Sequence, residues 1–96
     1  MLLDQLHQMK TRLNSLAAQF GATRLRVFGS VARGEETPDS DVDFLVELPR
    51  GYDIFTQRIP LAQGLEDLLH RKVDLVPEHE LNPRLKIQVL AEAVSL

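Results

Sequence analysis

Asp41 and Asp43 stand two residues apart in the run Asp41-Val-Asp-Phe-Leu-Val-Glu47, where Asp41, Asp43, Leu45 and Glu47 fall on one strand face and Val42, Phe44 and Val46 on the other. A strand points residues i and i+2 the same way, roughly 6.5–7 Å apart along it, so the spacing predicts two carboxylates on one face. Such a pair repels itself unless a cation lies between, but a solvated strand end tolerates the repulsion. Alone, the pair reads equally well as a charged strand start. Asp74 changes the weighing, because it lies inside Lys72-Val-Asp-Leu-Val76, and strand interiors disfavour Asp. If that strand neighbours the one carrying Asp41 and Asp43, the three carboxylates form one cluster. Oxygen-only ligands suit Mg²⁺, which keeps several waters and takes substrate phosphates as further ligands.

A second element is Gly29-Ser30, where a short strand hands over to a helical turn. Glycine permits close backbone approach, amides at such a start are oriented toward phosphate, and the Ser30 hydroxyl adds a donor. Arg33, one helical turn on, offers a fixed cation to the same phosphates. A Gly-Ser pair alone would be a strand-to-helix turn with a capping serine. No Gly-Lys-Ser/Thr follows, so it is neither a P-loop nor a dinucleotide fingerprint.

The elements that must position these residues follow from periodicity. Leu2, Leu6, Met9, Leu13, Leu16 and Phe20 draw one apolar helix stripe, closed by Gly21 as C-terminal cap. Leu25 to Phe28 reads as a strand, with Arg24 and Arg26 on its exposed face, and residues 35–40 form a polar turn-rich loop. The strand from Asp41 ends at Pro49-Arg50-Gly51. Ile54, Phe55, Ile59, Ala62, Leu65, Leu68 and Leu69 then give a second helical stripe, kinked or restarted at Pro60. After the strand Lys72–Val76, Asn82-Pro83 opens a last helix whose stripe is Leu85, Val89, Leu90 and Ala93. The order is α-β-α-β-α-β-α, one α/β domain over residues 1–96, with no repeat and no linker.

Taken together, Gly29-Ser-Val-Ala-Arg-Gly34, Ser40-Asp-Val-Asp43 and the later Lys72-Val-Asp-Leu75 closely resemble the DNA polymerase β-like nucleotidyltransferase superfamily, and specifically its minimal nucleotidyltransferases. The resemblance runs over nearly the whole chain. It implies an α+β core, a small mixed sheet with flanking helices. It implies two Mg²⁺ ions held by Asp41 and Asp43, with Asp74 on the catalytic ion and helping to deprotonate the acceptor hydroxyl. Ser30 and Arg33, with Gly29, would hold the β and γ phosphates of ATP, while Ser40 either binds phosphate or shapes the loop. Members of this kind are antitoxins paired with HEPN-family RNase toxins, which they silence by moving AMP onto a toxin tyrosine. The resemblance therefore implies a hetero-oligomer with such a toxin.

The bulk properties bound the alternatives. Net charge is −3, three of the fourteen acids are the candidate ligands, and the remainder is balanced. Bound magnesium would make the site attractive to a polyphosphate. No basic stripe with interleaved aromatics marks a DNA or RNA face. The absence of cysteine removes disulfides, thiolate zinc sites and cysteine nucleophiles. No apolar run spans a membrane and the N-terminus is no signal peptide, so a cytoplasmic location is expected. His7, His70 and His79 lack ligand spacing, His70 suiting a helix end; Tyr52 reads as a packing anchor and Arg71-Lys72 as a solvated pair. Two other functions remain open: an antitoxin that occludes its partner without chemistry, and transfer to a small molecule such as an aminoglycoside. No residue reads one base over another.

Overall fold

The computed structural model describes residues 1–96. The first apolar stripe makes two helices, α1 (Leu2–Gln8) and α2 (Lys10–Gln19), because the chain leaves helical geometry at Met9. Leu6 and Leu13 are wholly buried, and Leu2, Met9, Leu16 and Phe20 pack beside them. Gly21, at φ +76°, ends α2 in the left-handed conformation that a glycine adopts without strain.

Strand β1 (Thr23–Phe28) leads directly into the short helix α3 (Gly29–Arg33). Strand β2 (Val42–Glu47) pairs antiparallel with β1, placing Phe28 opposite Asp43 and Arg26 opposite Leu45. A π-helical turn, Ile54–Arg58, then runs into α4 (Ile59–Leu69), with Pro60 in its first turn, as the restart at Pro60 anticipates. Asp53 caps the π turn through the amides of Phe55 and Thr56. His70 terminates α4 in a left-handed conformation. The α4 crossover returns the chain to β3 (Val73–Pro77), parallel to β2, and a 3₁₀ turn (Glu78–Glu80) leads to α5 (Pro83–Glu92). Asn82 caps α5 through the Arg84 amide.

The chain then adds a strand that periodicity does not reveal. Ala93 turns extended, and β4 (Val94–Ser95) pairs antiparallel with β1, giving the mixed sheet β3-β2-β1-β4. Two residues are too few to show alternation. The last helix also departs from its expected stripe, for Val89 alone is buried while Leu85, Ile87 and Leu90 are exposed.

One face of the sheet presents Leu25, Val27, Val42, Phe44, Val46 and Leu75 to the helices and forms the main core. Each large side chain buried there contributes roughly 1.5–3 kcal/mol. The other face carries Arg26, Leu45, Asp43 and Asp74. Arg26 is not exposed as expected: it is 6% accessible and its guanidinium meets Glu78 at 2.7 Å. Strand alternation correctly turns Arg26 away from the main core, but the segment after β3 covers that second face. Arg24 does remain exposed, at the irregularity that separates Thr23 from Arg26 in the β1–β2 register.

Candidate active site

The end of β1 and the starts of β2 and β3 lie together at one end of the sheet, and this end collects the acids. Asp43 and Asp74 are register partners on the parallel strands β2 and β3, so their side chains share one face and one row. Asp41 stands just before β2, exposed, and Asp74 is exposed too, whereas Asp43 is half-buried. The Asp43 carboxyl is pushed from its ordinary 3.8 up to about 6, first by burial and then by the negative charges of Asp74 and Asp41. Glu92 adds to the same push, and Arg33 opposes it.

Gly29 explains how Asp43 reaches its place. At φ +74° the glycine adopts a conformation that L side chains rarely enter, and a Cβ there would overlap Asp43 Oδ2. The bare backbone therefore makes room for the carboxylate. Its amide is engaged elsewhere, donating to Glu92 Oε1 at 3.1 Å. Arg33 donates from Nη1 to Glu92 Oε2 at 2.9 Å and from Nε to Glu35 Oε1 at 2.8 Å. These contacts hold its guanidinium still more firmly charged. Ser30, half-buried between Gly29 and Val31, puts its hydroxyl into none of the side-chain hydrogen bonds around it. Of the residues with expected roles, Asp41, Asp43, Asp74, Gly29, Ser30 and Arg33 thus gather at one end of the sheet.

Ser40 sits at the edge of this group and is occupied with its own loop. Its hydroxyl accepts from the Thr37 amide at 2.8 Å and lies 3.1 Å from the Thr37 hydroxyl. Arg71 is no solvated cation here, since its Nη1 donates to the carbonyls of Thr37 and Ser40. The loop before β2 is thereby tied to the start of β3, which fixes Asp41 and Asp74 relative to each other. Tyr52 anchors a separate network, donating to Glu80 at 2.6 Å and accepting from Arg58 at 3.2 Å.

The donor chemistry of the carboxylates suits magnesium. All three donors are oxygens at one end of the sheet, their mutual repulsion is registered at Asp43, and a cation would relieve it. No three His, Cys, Asp or Glu side chains stand close enough together to hold a metal ion by themselves, as a closed cage would. Mg²⁺ needs no such cage, because it is commonly held by one or two carboxylates together with substrate phosphates. The residues fit the ion in that open mode.

Glu92 is the functional candidate that sequence reasoning missed. It falls three residues after Val89, the one buried residue of α5, and so on the same face of the helix, where an acid is out of place. That position was the available signal.

Residues 7–96 match the nucleotidyltransferase domain family. A candidate protein adenylyltransferase of Methanocaldococcus jannaschii is 32% identical over 91 residues, covering 95% of this chain and 97% of its own length. Protein adenylyltransferase MntA of Thermococcus cleftensis is 40% identical over 79 residues, 82% of this chain and 79% of its own. A solved minimal nucleotidyltransferase structure superposes with a TM-score of 0.85 at 47% identity, covering 98% of this chain and 95% of that one. A toxin–antitoxin structure with AMP-PNP superposes with a TM-score of 0.75 at 26% identity, over 88% of this chain and 69% of that one.

Proposed function

The chain belongs to the nucleotidyltransferase domain family and has the minimal nucleotidyltransferase fold, and from that premise we propose that it moves AMP from ATP onto a tyrosine hydroxyl of a partner HEPN-type RNase toxin, thereby neutralising it. The observation that carries the proposal is the register pairing of Asp43 with Asp74 beside the Gly29-Ser30 turn. It puts charge for a metal and donors for a phosphate at the same end of the sheet.

Asp41, Asp43 and Asp74 would hold Mg²⁺, which when bound supplies charge neutralisation to the polyphosphate and to the reacting oxygens. The chain's own residues do the remainder. Ser30 and Arg33 hold the β and γ phosphates, Ser30 through its hydroxyl and Arg33 through donors not taken by the two glutamates. Asp74 is the exposed member of the register pair, and its carboxylate takes the proton of the attacking hydroxyl. The acceptor oxygen bonds to the α-phosphorus, the bond from that phosphorus to the bridging oxygen breaks, and pyrophosphate leaves. Catalysis is then mostly positioning and charge.

The acceptor comes from the partner. Exposed Leu85, Ile87 and Leu90 on α5 are suited to docking it, a pairing that fits a cytoplasmic setting and a hetero-oligomer. The names of the relatives and the toxin–antitoxin neighbour support this reading. Toxin incubated with the chain, ATP and Mg²⁺ is expected to gain the mass of AMP on a tyrosine and to lose RNase activity. Neutralisation without any gain in mass would favour occlusion, and the same exposed α5 residues would then be its interface.

A further inference from the structure

Glu92 reaches across the fold to the turn that precedes the acids. Its Oε1 accepts from the Gly29 amide at 3.1 Å, across 63 residues of sequence, and its Oε2 accepts from Arg33 Nη1 at 2.9 Å, across 59. The side chain is only 20% exposed. One carboxylate thus spans both ends of α3, the backbone that admits Asp43 and the guanidinium beside it.

Two readings of this bridge differ in what a nucleotide must do. The carboxylate is either a stand-in for phosphate, to be displaced, or a permanent clamp. The surroundings favour the clamp. Val89 is buried one turn earlier, Val94 is paired with Val27 two residues later, and the Leu96 amide donates to the Leu25 carbonyl at 3.2 Å. The backbone on both sides of Glu92 is therefore held in place, which keeps the carboxylate within reach of Gly29 and Arg33. A guanidinium has five donors, and Glu92 and Glu35 take one each, so Arg33 keeps others for a ligand.

We propose that Glu92 is a positioning residue for the nucleotide site, holding Gly29 and Arg33 so that Ser30 and the guanidinium face a nucleoside triphosphate beside Asp43, without touching the nucleotide itself. This rests on the nucleotide-transfer reading above. It makes α5 and β4 part of the site's framework.

The test measures the affinity of ATP with Mg²⁺ by titration calorimetry for the wild-type chain, E92A and E92Q, with thermal midpoints taken without nucleotide. E92A loses both contacts and is expected to bind about tenfold more weakly. E92Q keeps an oxygen for the Gly29 amide and is expected to recover part of the loss, binding about threefold more weakly than wild type. Affinity at or above wild type in either variant overturns the clamp, a gain in affinity identifying a phosphate stand-in. A lowered midpoint with unchanged affinity also overturns it, as a purely structural role. Should E92A fail to fold, E92Q decides alone by the same criterion. A wild-type chain that binds no ATP instead removes the nucleotide reading on which the inference stands.

Discussion

Arg26 and Glu78 lie on the same sheet face as Asp43 and Asp74, yet the two charged groups are balanced in opposite ways. Arg26 is buried against Glu78 at 2.7 Å, and its hydrogen bond holds the Glu78 carboxyl below the ordinary carboxylate range. That pair is closed except for Arg26 Nε, which has no partner. Two residues further along β1 the pattern reverses. Around Asp43 the acids outnumber the cations, and its carboxyl is driven up to about 6. One region pairs opposite charges and so supports the fold. The other crowds like charges and becomes comfortable only when something positive arrives. Elementary electrostatics thus separates the stabilising group from the candidate functional one.

The contrast is broken most severely at Asp43. D43N removes the half-buried ligand, and adenylyl transfer, followed by the mass of the modified partner, should fall by about 10³-fold or more. Its thermal midpoint without metal should hold or rise, because a repelling charge has gone; a large fall would mean that the acid supports the fold after all. Next comes G29A, whose methyl would overlap Asp43 Oδ2 in a left-handed backbone. It should cost about 1–3 kcal/mol in urea unfolding and also cut activity, so it touches both sides of the comparison. R26A should reverse the signature of D43N. Leaving Glu78 partly buried and unpaired should cost about 1–3 kcal/mol, while activity per folded molecule persists. The double replacement R26M/E78L should restore most of that stability.

The smallest effect sharpens the comparison through pH. Asp43 binds its proton more tightly folded than unfolded, so in chelator its contribution to stability should fall as pH rises from its ordinary 3.8 toward about 6. Glu78 does the opposite: its contribution is complete above its ordinary 4.5 and is lost as pH falls through its lowered folded value. D43N should abolish the first slope in urea titrations and leave the second. A slope of the first kind that survives D43N would assign it to another group.

Much of this was legible in the sequence, for reasons that can be named. Strand alternation around Asp41 and Asp43, and an acid inside Val73–Val76, carry their signal within a few residues. Neighbouring strands bring Asp74 toward that pair, and the structure sets Asp43 and Asp74 in register. What escaped depends on long-range covering. Arg26 looks like any outward strand residue until Glu78 arrives from 52 residues away. Glu92 is camouflaged by being a good helix former, since an acid on a helix is ordinary and only its register with Val89 gives it away. Strand β4 is too short to alternate, and the break at Met9 interrupts a stripe that continues unchanged across it.

The separation of 63 positions from Gly29 to Glu92 also bears on the order of events in time. In a chain made from its N-terminus the residues of β1 and α3 exist before Glu92 does, so the Gly29 turn is first made without its clasp. Contacts of such separation close late, after the local helices and the β1–β2 pairing have already reduced the search. The candidate site is then completed late, and a partially folded chain carries the acids without the contact that holds Gly29 and Arg33.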